Sequence, residues 1–283
     1  MIFYIFFSSS RFPLSAGNIL GSGNELTIRQ DLVENQKKKL DKDLQTLGDT
    51  IGSDDYEQFR YFWLIANTRS FYWDFPTAKR RNPKNLIPDD CMALLPFADY
   101  FNHADVGCDL ESDHKGCSMI CHRDYQPGEE VYASYGNHSN DFLLAEYGFI
   151  LEENKWDEVR LDSVILAKLS RTMKNDLEAE GFLGNYILDT QAICHRTQVA
   201  LRRLIARTGW LEFASGVTDG EREQPQVNTK AVEILYNYLK EVRSIRTKLA
   251  KLPASDSQDL LLRRWAQVEG LVEKWLIQHN APL

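Results

Sequence analysis

Four short segments carry side chains whose types and spacing could do chemistry. They are Thr68-Arg69-Ser70-Phe71, Asp99-Tyr100-Phe101-Asn102-His103, the run EEVYASYG from Glu129 to Gly136, and Ala145-Glu146-Tyr147-Gly148-Phe149. Taken singly, each has an ordinary structural reading. An Asn-His pair can be a capped turn, Tyr135 a core residue of an aromatic-rich strand, and Tyr-Gly-Phe a tight turn between packed rings. Gly136 and Gly148 each follow a tyrosine, where a glycine serves a strand-ending turn or lets the backbone approach a ligand closely, and one turn can do both. Cys108, Cys117 and Cys121 with His114 and His122 suggest zinc chemistry. No Cys-x-x-Cys pair supports it, and residues 115–125 alternate like a strand, so structural thiols and no metal are expected. Gly17, Gly21 and Gly23 could cradle a cofactor, but without strand-Gly-helix order around them a flexible lead-in is the expectation.

Those segments need elements to hold them. Apolar positions at helical spacing predict a helix over residues 26–47, with Lys37-Lys38-Lys39 on its wet side. Ser53, Asp54 and Asp55 are N-cap candidates for a second helix carrying Tyr56, Phe59, Phe62, Trp63 and Ala66 on one face and running to Phe71. Pro76, Pro83 and Pro88 make residues 74–90 loop. The stretch CMALLPFADYFNHAD, 91–105, is apolar to Ala98 and then polar, which predicts a buried segment delivering polar groups to a site. Residues 117–135 read as a hairpin around Gln126-Pro127-Gly128-Glu129, since Pro-Gly at the centre of a turn is type II chemistry. A helix is expected from about Ser139. Past Glu152 a short strand, 159–165, precedes helices over 166–180, 193–208, 230–252 and 257–279, with an exposed loop from Ser215 to Asn228.

Composition bounds the rest. Of 283 residues, 43% are hydrophobic and 26% charged, as in an ordinary folded protein. With 33 Lys+Arg against 41 Asp+Glu, the net charge of -8 argues against a general nucleic-acid binder, which needs surplus cations. The apolar start, Met1 to Phe7, is far short of the ~18 residues of a membrane span, so no membrane partner is expected. It also lacks the basic start of a secretory signal. Five cysteines, an odd number, point to a reducing compartment, cytoplasm or nucleus.

The order of three blocks carries more than any block alone. LLPFADYFNHAD, then PGEEVYASYG, then NDFLLAEYGFIL resembles the SET-domain protein-lysine methyltransferases, most of all the branch typified by the Rubisco large-subunit methyltransferase. The match covers roughly residues 56–151. The resemblance implies an α+β fold: an incomplete SET β-fold over 26–151 with a helical insertion at about 26–90, then a mainly α-helical, substrate-binding-like domain over 152–283. Residues 1–25 do not match the family's glycine-bearing start and are expected to be a lead-in or a truncated SET start. By resemblance, Arg69, Asp99, Asn102, His103, Tyr147 and Phe149 contact S-adenosylmethionine. Tyr135 stands at the methyl-transfer centre, and Phe71, Tyr147 and Phe149 wall a lysine channel.

Methyl transfer suits those residue types. A sulfonium methyl group needs in-line placement of a neutral amine at ~3 Å more than covalent help. Burial and the neighbouring cation favour the neutral form of a lysine. A tyrosine hydroxyl can orient the amine, and rings can line its stem or bind a methylated ammonium by cation–π attraction, worth ~0.5–2 kcal/mol. The implied activity is S-adenosylmethionine-dependent methylation of a lysine on a non-histone protein. The alternatives are a catalytically inactive interaction module built on the SET remnant and a protein-histidine methyltransferase; Phe71 favours lysine, because an apolar wall suits an alkylamine better than an imidazole.

Overall fold

The structure, a computed structural model, describes residues 30–48, 55–73, 91–113 and 116–281. The glycine-bearing lead-in, the caps at Ser53 and Asp54, the 74–90 loop and His114 lie outside the described residues. The class is α+β, and the described residues form three separate two-stranded antiparallel sheets among the helices. They divide into two compact units, one of residues 30–138 and 142–155, the other of residues 139–141 and 156–281.

The first unit opens with helices α1 (Gln30–Leu47) and α2 (Tyr56–Arg69). Leu40 packs with Trp63 and Leu64, and Phe59 lies against them. The Trp63 indole N–H donates to Asp43 at 2.7 Å, so the ring is buried without stranding its one polar atom. Phe62 and Ala66, expected on the buried face, are exposed; Phe59, Trp63 and Leu64 share the face that meets α1. The helix stops at Arg69, and Ser70–Tyr72 becomes strand β1, paired with β2 (Met92–Leu94) in the register Phe71↔Ala93. Expected burial of the 91–98 stretch fails. Cys91 is buried, but Leu94 is 58% and Phe97 75% exposed, because a two-stranded ribbon has nothing in its own ladder to cover both faces.

The 117–135 hairpin is also corrected. Strand β3 (His103–Asp113) pairs antiparallel with β4 (Gly116–Ile120) in the register Glu111↔Ser118, so the partner of 117–120 precedes it in the chain. The Asp113 carboxylate accepts from the Gly116 N–H at 3.0 Å and closes that connection. The Pro127-Gly128 turn does form, with the Glu129 N–H donating to the Gln126 carbonyl at 3.0 Å and Gly128 at φ 87°. Its downstream arm goes elsewhere: the Ala133 N–H donates to the Asn102 carbonyl, and Tyr132 and Ser134 bond to Cys108. Alternation marks a strand but does not name its partner. Helix α3 (Asn140–Tyr147) follows where a helix was expected.

The second unit is mostly helical. Strand β5 (Glu158–Arg160) pairs with β6 (Ile187–Asp189), and the expected longer strand ends early because Asp162–Leu166 turns into helix α4. The helix expected over 166–180 begins only at α5 (Arg171–Ala179), where Ser170 accepts from the Met173 N–H as N-cap. Helices α6 (His195–Ile205) and α7 (Trp210–Ala214) lead to α8 (Gln224–Leu249) and α9 (Asp256–Gln278). Helix α8 starts earlier than expected, with Pro225 in its first turn, so the exposed loop is shorter. Val227, Ala231, Ile234, Leu235, Tyr238 and Val242 form its buried stripe at three- and four-residue spacing. The Gln258 amide donates to the Leu249 and Leu252 carbonyls at 2.8 and 2.9 Å, which satisfies groups left open at the end of α8. No helix among the described residues is long and apolar enough to cross a membrane.

Candidate active site

The three sequence blocks meet within the first unit. Residues 132–134 lie between Asn102 on one side and Cys108 on the other: Ala133 N–H to Asn102 O at 2.9 Å, Cys108 N–H to Tyr132 O at 2.7 Å, and Ser134 N–H to Cys108 O at 2.9 Å. Gly107 makes this possible. A Cβ there would stand 2.5 Å from the Ala133 carbonyl carbon, so only glycine admits so close a crossing. The sequence reading passed over Gly107, although a lone glycine inside a strand pattern is the signal for close backbone approach.

Tyr135 leaves this crossing and enters a cluster of rings. Its centroid is 5.0 Å from His103, 5.1 Å from Tyr147 and 6.4 Å from Phe149, and His103 also faces Phe149 at 6.0 Å. The Tyr135 hydroxyl donates to the Phe101 carbonyl at 2.7 Å. The Tyr135 N–H donates to His103 Nδ1 at 3.1 Å, and the Ala133 carbonyl lies 3.3 Å from the same nitrogen. His138 Nε2 sits 3.1 Å from the Tyr135 carbonyl, with its ring stacked on Phe142. Gly136 and Gly148 both have positive φ, 114° and 78°, so the turn after each tyrosine uses the freedom glycine has.

Burial sets the protonation states. It pushes the Tyr135 phenol above its ordinary range, against the pull of Arg69, with Asp99 adding to the rise. Tyr147 is raised by burial first and then by Glu146 and Tyr135. Burial lowers His103 despite its contact with Ala133, and it lowers His138 as well. The phenols therefore stay protonated and the imidazoles neutral in ordinary buffer.

The remaining predicted residues divide. Arg69 reaches the Asp99 backbone carbonyl with its guanidinium, and its distance to the Asp99 carboxylate is 4.0 Å. Both are close enough to act on the Tyr135 hydroxyl. Asp99 Oδ1 is buried with no hydrogen-bond partner. The Asn102 side chain points to Glu130 at 2.7 Å and is exposed, so its backbone meets the crossing while its amide does not join the rings. Phe71 is half-buried on β1, and no ring contact joins it to the cluster among the described residues. Of the thiols and imidazoles expected to be structural, Cys117 contacts Ser112, His122 contacts Asp109, and Cys108 contacts Cys121. No group of three metal-ligating side chains is present among the described residues.

A phenol fixed on a backbone carbonyl amid half-buried rings, next to a buried neutral imidazole, suits the orientation of an amine. Residues 157–278 match the family model of the ribosomal lysine N-methyltransferase 2 C-terminal domain. The ribosomal lysine N-methyltransferase set11 of Schizosaccharomyces pombe is 27% identical over 209 residues, covering 69% of this chain and 52% of that protein. The chain is similar to SET-domain lysine methyltransferases. Ribosomal lysine N-methyltransferase 2 of Saccharomyces cerevisiae is 25% identical over 254 residues, 82% of this chain and 52% of its own length. An actin-histidine N-methyltransferase of Canis lupus familiaris is 34% identical over 128 residues, 37% of this chain and 21% of that protein. The chain thus spans about half the length of the first two relatives. Among solved structures, the SET domain of LSMT bound to lysine and AdoHcy aligns with 88% of this chain and 62% of its own, at TM-score 0.46 and 16% identity.

Proposed function

We propose that this chain forms the site-bearing part of an S-adenosylmethionine-dependent protein methyltransferase that acts on a lysine of a non-histone protein. The observation that carries the reading is the Tyr135 hydroxyl, held 2.7 Å from the Phe101 carbonyl inside the cluster of His103, Tyr147 and Phe149. Its proton is engaged by that carbonyl, so its oxygen lone pair is available to accept from a substrate amine. The accepted N–H fixes the direction of the nitrogen lone pair, which is what an in-line displacement requires.

When bound, S-adenosylmethionine supplies an electrophilic methyl group on a cationic sulfur. The residues present fit it. Ring faces at Tyr147 and Phe149 suit both an adenine and a cation, and the unpartnered buried Asp99 oxygen offers a polar anchor beside Arg69. A lysine entering among these rings loses water, which lowers its pKa and favours the nucleophilic amine.

The printed names of two relatives make a ribosomal protein the substrate to test first. Incubation with S-adenosylmethionine and a ribosomal protein fraction, followed by tandem mass spectrometry, is expected to find methyl-lysine. Tyr135→Phe should lower kcat on the order of 10²-fold, the scale of a small misplacement of the reacting group, and leave cofactor binding nearly unchanged. Equal loss of both removes Tyr135 from the transfer step. Methyl-histidine as product selects the alternative that the 34% identity to the dog protein favours. Titration calorimetry with no heat on adding S-adenosylmethionine would make the chain an interaction module. Cysteine usage alone supports a cytoplasmic or nuclear setting.

A further inference from the structure

The Sγ atoms of Cys108 and Cys121 lie 3.1 Å apart, with the Tyr125 hydroxyl 3.5 Å from Cys108. Cys108 is wholly buried and Cys121 exposed. The pair is not a chance meeting of loops. Asp109 pairs with Ile120 in the antiparallel β3–β4 ladder, so Cys108 and Cys121 occupy the next opposed positions. Cys108 spends its N–H on Tyr132 and its carbonyl on Ser134, both in the segment that crosses at Gly107. A strand residue directs both backbone groups to one side, so Cys108 faces Cys121 as a non-hydrogen-bonded pair. In that geometry the Cα atoms approach to ~4.5 Å, within the roughly 4.4–6.8 Å that a disulfide bridges.

We propose that Cys108 and Cys121 form a redox-active dithiol, a modification site at which a low-molecular-weight disulfide closes an intramolecular cross-strand bond. The exposed Cys121 thiolate attacks one sulfur of the small disulfide, forming a mixed disulfide and expelling one small thiolate. The Cys108 thiolate then attacks the Cys121 sulfur, closes the Cys108–Cys121 bond and expels the second. The two protons lost by the protein thiols end on the two small thiols, which leave reduced as the protein pair is oxidised. The hydrogen bond with Cys108, more than burial, pushes the Cys121 thiol up, so the attack starts from a protonated Cys121 and quickens as pH rises. The bond ties the connection after β4 to the residue that anchors Tyr132 and Ser134, directly before Tyr135.

The test is to treat the full chain with oxidised glutathione, remove it, alkylate under denaturing conditions and weigh the intact protein. Two of the five thiols are expected to escape alkylation, with peptide mapping linking Cys108 to Cys121, and dithiothreitol should restore all five. Cys121→Ser, a change at an exposed position, should leave every remaining thiol open to alkylation, while Cys117→Ser should keep the linked pair. The proposal is overturned if all five thiols of the wild type stay reactive, if the link involves Cys117 or a second molecule, or if glutathione persists on Cys121 without resolution.

Discussion

In the helical unit one continuous cluster of buried apolar side chains runs from Val159 to Leu276. In the unit that carries the Tyr135 rings, the buried apolar residues among those described are few and scattered: Leu40, Trp63 and Leu64 in one small cluster, with Cys91, Cys108, Ala133, Leu143, Leu144 and Ile150 elsewhere. The first is held by area removed from water, at roughly 25 cal/mol per Å². The second is held mainly by specific contacts: backbone bonds across the Gly107 crossing, Tyr135 on Phe101, and Tyr135 on His103. A region that must present polar atoms and ring faces to a ligand cannot fill itself with leucine. Its order then depends on a small number of close approaches, each of which one substitution can remove.

The largest test of that contrast falls on a fully buried charge in the helical unit. Arg264 is fully buried, with its guanidinium 2.6 Å from Asp141 and 2.6 Å from Asp157. Burial works against its charge, but the two carboxylates outweigh it and raise its pKa. Arg264→Leu takes the cation away from two buried carboxylates, at a cost of about 3–5 kcal/mol by denaturant titration. A loss under 1 kcal/mol would mean that apolar burial carries the helical unit regardless of this triad. Next in size, Gly107→Ala should cost about 1–3 kcal/mol through the clash with Ala133. It should also speed hydrogen exchange at the Cys108 and Ser134 amides; unchanged exchange would show that the crossing tolerates a methyl group.

Asp43→Ala removes the acceptor of the Trp63 indole and should cost about 1 kcal/mol, read from the denaturation midpoint at constant slope. The smallest effect is in pH. His103 and His138 have lowered pKa values in the folded state, so below about 6.5 the unfolded chain binds more protons than the folded one. Their contribution is complete above that value and is lost as pH falls from it toward the folded pKa. His103→Gln should flatten the fall between pH 6.5 and 5 relative to wild type. An unchanged slope would remove His103 from the account.

Legibility followed the range of the interactions. Helices α8 and α9 were readable because their buried stripes repeat every three or four residues, and a local period needs no partner to be seen. The Pro127-Gly128 turn was readable for the same reason. The pairing of 117–120 with 109–112, the exposure of Phe97 and the position of Asn102 against Glu130 were not, since each is a choice among distant partners. The ring cluster stood between these cases: the types of His103, Tyr135, Tyr147 and Phe149 were visible as motifs, their 5–6 Å meeting only as coordinates.

By itself the chain of letters determined where the two long C-terminal helices run, that Pro127-Gly128 makes a turn and which side chains have the chemistry to hold an amine, because torsional preference and amphipathic period are local properties. Only tertiary structure decided that residues 132–134 cross between Asn102 and Cys108, that the Tyr135 hydroxyl rests on Phe101, and that two cysteines thirteen positions apart face one another. The reason is physical: strand pairing and ring packing take their energy from groups far away along the chain, and several pairings satisfy the same alternation until the whole unit closes.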